Sequence, residues 1–546
     1  MTSAKQATLP NASPQTAPPL TGPLLFLVTA LLGFTLLKEG TDLVATQEPQ
    51  LAFAWAGAVG ALTAAFLWVD PRPLPRFALR ALRGSAIFLA FYFAVEPFAV
   101  PYAALPAGHP AVLLHQHGRP IGLVLAVIGW WRPSAVFGSA MLLWMMRELQ
   151  TELTGFYFST LDIRNVAEIV AFLSIGFTLL AGARQVRGLR QTLAVDDALI
   201  QTATMMMLAA AIGAHLANYF WSGLAKLALD GGFFSWLLDN RLSDGIPAAL
   251  EKGTLPFAAW PWAVEAVHGA LVFLSVPINF LSWSVQILAV VAVWKRRWLI
   301  LATIAFDVFH VIVWATLGLL FWKWIALNMI VVATLAAVRE DEWNKVVRTT
   351  AVLFVIAGIA LFRVATLAWY ETPGFASPYF VARMDDGSLH RVPNAYFGSS
   401  SYQVSQGRLW YPGGYEHFNP SIWGSVLSHK DAVAGRTCTV PARTEPAAEQ
   451  WGPRHQLALY MQAQHKRVLA HADERGIWHY YRVPHHHVPS PFLADSFYAL
   501  DKRRVASYMF VMDSVCLSLD QGRLKRHVVK RSVLPLYDAR ADRVLQ

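Results

Sequence analysis

HLANYFWSGLAKLALDGGFFSW, residues 215–236, is an apolar stretch interrupted by polar groups at regular intervals. Read as a helix, it carries His215, Tyr219, Ser222 and Lys226 at i, i+4, i+7 and i+11, one stripe along one face. A charged or strongly polar side chain turned to hydrocarbon costs roughly 2 kcal/mol or more, so the stripe belongs against protein or a protein-lined cavity. The stretch therefore predicts a membrane helix with a polar seam. Lys226 has two readings. It is an ionisable group of a functional pocket, or an anchor whose stem lies in the apolar layer while its ammonium reaches the headgroups.

Composition supports the membrane class. The 546 residues are 55% hydrophobic and 15% charged, with 21 Trp and a mean hydropathy of +0.39. Indole rings favour bilayer interfaces. The net charge of +10 sits mainly in short loops between apolar runs and in the tail. It speaks for membrane orientation, not for nucleic acid, and no basic-aromatic nucleic-acid motif occurs.

Apolar runs lie at 20–37, 51–69, 85–104, 111–131, 134–146, 165–183, 197–225, 263–294, 299–317, 319–338 and 351–369. Judged against the ~20 residues that a span requires, they predict an α-helical polytopic membrane protein of about 11 spans. The short 134–146 run starts at Pro133 and is either re-entrant or extended past Arg147. Pro277 and Asn279 predict a break or kink in the long 263–294 run. Residues 1–19, rich in Pro, Ala and Thr, read as disordered, and residues 20–369 as the membrane domain. The first apolar run reads as an anchor, since it lacks the cleavage site of a removable signal.

The loops 70–84 (Arg72, Arg76, Arg80, Arg83), 184–190 (Arg184, Arg187, Arg190) and 295–297 (Lys295, Arg296, Arg297) are basic. Counting runs between them puts all three on one side, together with the mixed loop 339–348, and the positive-inside rule makes that side cytoplasmic. The amino terminus is then inside. Residues 371–546 then form an extracytoplasmic domain, which holds both cysteines, Cys438 and Cys516. An oxidising compartment allows a disulfide between them, with two free buried thiols as the alternative. Within this domain, YFVARMDDGSLHRV (379–392) reads as a hairpin, 455–473 as a helix and 505–519 as an apolar strand. A small α+β domain is the expectation.

Other residues also invite chemistry. Glu265 with His268, and Asp307 with His310, each share a helix face at i, i+3. A buried Asp–His pair orients an imidazole for proton transfer, or simply satisfies two polar groups between helices. Asn279 and Gln286 add polarity to the kinked run, and Glu96 is a further carboxylate within an apolar run. His485, His486 and His487 are adjacent rather than spaced as zinc ligands usually are, so no metal site is expected. No phosphate-binding glycine loop, G-x-S-x-G or H-E-x-x-H is present.

Taken in order, YFWSGLAKL (219–227), Trp236, the apolar run closed by WKRRW (294–298) and FDVFHVIVWATLGLLFWKWIALNMI (306–330) resemble the vitamin K-dependent γ-carboxylase-like family. More exactly, the stretch looks like its bacterial HTTM (horizontally transferred transmembrane) branch. The resemblance covers about 200–338. It implies a bacterial cytoplasmic membrane and a quinol or vitamin K-type lipid cofactor. It also implies that Lys226 matches the base that starts quinol oxygenation, and that His310 matches the histidine of the family's Phe-His pair. The family's Asn-His pair has no clear counterpart: Asp162-Ile163-Arg164-Asn165-Val166 is the nearest stretch, with Val166 where a histidine would stand.

Two main expectations follow. One is an enzyme acting at the outer leaflet on a peptide or lipid substrate, with Lys226, His310 and Asp307 as catalytic groups and His215, Tyr219, Ser222, Glu265 and His268 around the pocket. A desolvated lysine suits a base because burial favours the neutral amine. The other is a non-catalytic membrane module that presents the outer domain, with the polar stripe joining helices. A transporter is less well supported, because no paired broken helices or inverted repeat is visible.

Overall fold

The computed structural model describes residues 20–95, 106, 108–154, 161–400, 404–405, 408–418, 421, 423–440, 448–480, 489–490, 492 and 496–545, with backbone alone at 151–154, 161–162 and 398–400. Residues 1–19, Glu96 and His485 to His487 lie outside that set. Among the described residues six helices are long and apolar enough to cross a membrane. They are α1 (Thr21–Thr46), α3 (Arg76–Val95), α4 (Pro110–Ile128), α6 (Leu161–Gln185), α8 (Asp197–Leu227) and α14 (Arg296–Leu317). The bent pair α11 (Pro261–Phe273) and α12 (Ser275–Ile287) makes a seventh if counted as one span.

This is fewer than the eleven runs suggest, for local reasons. The runs 51–69 and 319–338 fold as 14-residue helices, α2 (Ala52–Ala65) and α15 (Trp322–Leu335). At 1.5 Å per residue, such a helix covers about 21 Å of a hydrocarbon core of about 30 Å. The 134–146 run continues past Arg147 as α5 (Pro133–Thr154). The long run bends by 78°, but at Leu274 rather than at Pro277. Pro277 has no N–H for the carbonyl of Phe273, four residues back, and Phe273 is where α11 ends. The 351–369 run is the largest departure. Its helix, α16 (Lys345–Ala357), gives way to a 3-10 turn at Gly358–Ala360 and then to extended chain.

The basic loops gather at one end of the helices. Gln185 and Asp70 exchange hydrogen bonds, and Arg80 donates to Ala333 O. Arg296 pairs with Glu340, and Arg348 donates to Trp294 O. At the opposite end of α6, Arg164 pairs with Asp42 and Glu168.

Beyond Trp369 the chain forms an α+β region. Its main sheet is antiparallel, in the order β3 (Leu389–Val392), β2 (Gly374–Met384), β7 (Val505–Asp520), β8 (Arg523–Asp538), β9 (Arg543–Val544). The Asp385-Asp386-Gly387 turn closes β2–β3, and the helix Arg454–His471 lies close to its expected bounds. Cys438 and Cys516 are bonded, with Cα atoms 5.5 Å apart. The hairpin turn of β7–β8 rests on the first residue of α11: a Cβ on Gly522 would lie 1.8 Å from Pro261 O, so only glycine fits.

Candidate functional site

Helix α8 organises the site. It has 31 residues, begins at an Asp196 cap that accepts from Leu199 N, and spans about 46 Å at 1.5 Å per residue. That exceeds the hydrocarbon thickness of about 30 Å, so its two ends reach the interfaces. Lys226 lies in its last turn, beside the start of the α+β region.

The extended segment 363–369 runs along α8 and is held there by side chains. Arg363 N donates to Glu168 Oε2 (2.5 Å), and Arg363 O accepts from Asn165 Nδ2 (2.8 Å). Ala365 N donates to Asn218 Oδ1 (2.7 Å), while Ala365 O accepts from Ser222 Oγ (3.1 Å). Leu367 N donates to Ser222 Oγ (2.9 Å), and Leu367 O accepts from Lys226 Nζ (2.8 Å). Trp369 O accepts from Trp236 Nε1 (2.8 Å). Every second residue is bonded, as in a strand. The match is geometric: four helical residues rise about 6.0 Å and two strand residues about 6.6 Å. Asn218, Ser222 and Lys226, at i, i+4 and i+8, thus form a ladder for an extended chain. That ladder satisfies backbone groups that hydrocarbon would leave bare.

The predicted stripe therefore divides. Ser222 and Lys226 belong to the ladder, with Asn218, which the i, i+4, i+7, i+11 reading passed over. His215 and Tyr219 join a second network on Asn328, which interrupts the apolar run of α15. His215 Nε2 meets Asn328 Oδ1 at 2.6 Å, and Asn328 Nδ2 donates to Tyr219 OH (3.1 Å) and to Asp307 Oδ1 (2.7 Å). Tyr219 stacks on Phe306, ring centroids 3.9 Å apart. His310 lies among Tyr219, Phe321 and Trp324. Asp307 thus enters the network through Asn328. Glu265 is exposed on α11 and His268 partly so, and neither lines the cavity described next.

A cavity of about 430 Å³ opens where α8, α12 and α14 meet the end of the extended segment. Its walls are mostly apolar, among them Ile278, Val285, Val313 and Phe309. Leu281, Val308 and Ile312, which also line it, are exposed, so the cavity is open to the side of the helix bundle. Polar groups collect at one end: Lys226, Gln286 and Glu371, flanked by Trp236 and Trp369. Lys226 Nζ donates to Ser222 O (3.3 Å), Gln286 Oε1 (2.9 Å) and Leu367 O, and lies 5.0 Å from the centre of the Trp236 ring. Those three acceptors match the three donors of an ammonium.

Glu371, in β1 (Tyr370–Glu371), is buried. Its Oε1 accepts from Trp369 Nε1 (3.0 Å), and its backbone N–H donates to Asn240 Oδ1 (2.9 Å). Burial pushes its carboxyl up to about 7, against the pull of Trp369, Asn240 and Lys226. The sequence gives little sign of Glu371: it follows the last apolar run and enters the cavity only because the chain is extended there.

Among the described residues no group of three or more His, Cys, Asp or Glu is placed to hold a metal ion. No family model, curated protein or solved structure matches the chain.

Proposed function

We propose that this is an integral membrane protein that binds an apolar molecule in the cavity between α8, α12 and α14 and carries out proton-transfer chemistry at its polar end. The observation that carries the reading is the joining of an apolar, laterally open chamber to a buried Lys226–Gln286–Glu371 cluster. A volume of about 430 Å³ lies within the usual range for small-molecule sites, ~300–1,000 Å³. Lateral opening suits a molecule that arrives from the bilayer. Gathered basic loops at one end and the disulfide-bonded region at the other support an inside amino terminus and an extracytoplasmic carboxy-terminal domain.

The sequence resemblance adds the ligand class, a quinol-type lipid in an HTTM-like bacterial membrane protein. A chamber with apolar walls and one polar end fits such a group. When bound, a quinol supplies reducing equivalents and acidic hydroxyl protons. The chain's own part is to seat the apolar portion among Ile278, Val285 and Val313, to present Lys226 as base, and to keep water from the polar end with Trp236 and Trp369. To act as base, Lys226 must stand as the neutral amine, its proton released to solvent, with two N–H donors and a lone pair that takes the ligand's proton. Breaking the contact to Gln286 leaves both bonds to backbone carbonyls in place.

A second reading, a non-catalytic module that presents the outer domain, is favoured by the ladder, in which Lys226 holds Leu367 O. Lys226→Arg separates the two. Arginine keeps the charge and the donors but does not release its proton near neutral pH. Catalysis predicts a folded variant, with a wild-type unfolding midpoint, that has lost at least a hundredfold in oxygen-dependent consumption of a short-chain quinol, on the scale of general-base effects of ~10²–10⁴-fold. Equal consumption by variant and wild type, or none by either, contradicts the catalytic role.

A further inference from the structure

Glu371 reaches the polar end of the cavity on chain that lies outside the helices, and its main chain is gripped on both sides. Its N–H donates to Asn240 Oδ1 (2.9 Å), and its carbonyl accepts from Arg436 Nη2 (3.1 Å). Arg436 Nε donates to Asp244 Oδ2 (3.0 Å). Asp244 ends the 3-10 turn Leu242–Asp244, whose Leu242 lines the cavity together with Glu371. Arg436 thus ties two segments of the cavity wall with one planar guanidinium, a geometry that the ammonium of a lysine does not reproduce. The side chains of Arg436 and Asp244 are only 11% and 14% exposed. Arg436 is not itself among the lining residues, so it acts on the cavity through Glu371 and Leu242.

Arg436 is held in turn by a disulfide. It is the last residue of the 8-residue helix His429–Arg436, too short to be stable in water without outside support. That support comes at both ends. His429 N donates to Asp230 Oδ1 (2.5 Å), and Cys438, just past Arg436, is bonded to Cys516 of β7. Between them the helix presses on the residue after Glu371: a Cβ on Gly435 would lie 1.8 Å from Thr372 Oγ1. Cys438 has a φ of 57°, left-handed backbone that a residue with a Cβ adopts at a cost and that a chain released from the bond would leave. Cys516 is buried and Cys438 exposed, so a dithiol can approach the bond from the Cys438 side. We infer that Arg436 positions the polar end of the cavity, and that the Cys438–Cys516 disulfide, by holding Arg436, makes ligand binding depend on redox state. In the exchange an extracytoplasmic dithiol is oxidised to its own disulfide, and Cys438 and Cys516 each take up one electron and one proton to become thiols. The helix end then leaves its seat, Arg436 releases Glu371 O and Asp244, and the cavity loses affinity. This rests on the cavity reading above and adds its regulation.

The test uses the purified full-length protein in detergent and tritiated 1-dodecanol, an apolar probe that reductants leave unchanged. Binding is compared before and after dithiothreitol, with both thiols shown to be free by alkylation and mass spectrometry. Reduction should weaken binding by roughly tenfold, the scale of one lost hydrogen bond to a charged group, and reoxidation should restore it. A folded Arg436→Ala with its disulfide intact should bind as weakly as reduced wild type, and reduction should weaken it no further. This last result separates positioning by Arg436 from general support by the disulfide, whose loss would lower both proteins alike. Equal binding by oxidised and fully reduced wild type overturns the inference and leaves the cavity reading intact. Wild-type affinity in Arg436→Ala also overturns it, and this arm decides if reduction unfolds the outer region. An equal further loss when that variant is reduced overturns it too. No binding by the oxidised wild type removes the cavity reading as well.

Discussion

Ser222 shows how one hydroxyl can set a chain path. It donates to Ala365 O and accepts from Leu367 N, so one side chain satisfies two backbone groups in a setting without water. Ser222→Ala leaves both unpaired. At about 1–3 kcal/mol for each buried group left bare, the variant should lose about 2 kcal/mol or more of stability, while Ser222→Thr, which keeps the hydroxyl, should lose less than half of that. Denaturant unfolding followed by Trp fluorescence measures both, and an Ala variant with wild-type stability would show that the ladder is not needed. The residues of the ladder are visible in the sequence, but their job is not. Periodicity identifies the face of α8 that carries polar groups. It does not say whether helix, cavity or extended chain lies opposite, and Asn218 and Asn328 look like incidental polar residues until their partners are placed. Glu371 is illegible for a related reason: its burial comes from a path fixed by residues some 150 positions earlier in the chain.

Helix α8 is held as much by what it lacks as by its polar groups. At Gly213 a Cβ would lie 2.4 Å from Ala351 O and 2.7 Å from the Phe354 Cβ, so α16 approaches backbone to backbone. Gly213→Ala gains helix propensity of about 1 kcal/mol, yet it drives a methyl group into a carbonyl that cannot move cheaply. Overpacking of about 1–3 kcal/mol should win, lowering the unfolding midpoint. Gly188→Ala, in the short helix Arg187–Thr192 with open space around it, is the control and should be neutral or mildly stabilising. A Gly213→Ala variant as stable as the control would contradict the close packing. Apolar runs marked the long helices well, because a helix with apolar surroundings needs little more than length. They outnumber the helices long enough to span among the described residues where a run folds as a short helix, and where 351–369 serves an extended chain whose backbone is satisfied by neighbours. In the α+β region, the Asp-Asp-Gly turn and the apolar run of β7 announced themselves. Strand β8 did not: RLKRHVVKR is basic and mostly exposed on alternate positions, and it reads as a charged loop until β7 pairs with it along its length.

Across the whole molecule, charge and chemistry separate to opposite ends. Basic loops meet at the foot of α8, while its head carries Lys226, the cavity and the disulfide-bonded region that supplies Glu371. The cavity opens sideways past Leu281, Val308 and Ile312, so its occupant is expected to come from the bilayer. That is the central claim, and photolabelling in native membranes tests it most directly. A long-chain alcohol carrying a diazirine in its tail is irradiated with the protein, and the adducts are mapped by peptide mass spectrometry. The account predicts adducts concentrated on Ile278, Val285 and Val313, suppressed by excess unlabelled alcohol and lost in Val285→Trp, which fills the chamber. Adducts spread evenly over outward-facing residues such as Leu32, Leu36 and Phe273, with no competition by the unlabelled alcohol, would contradict it.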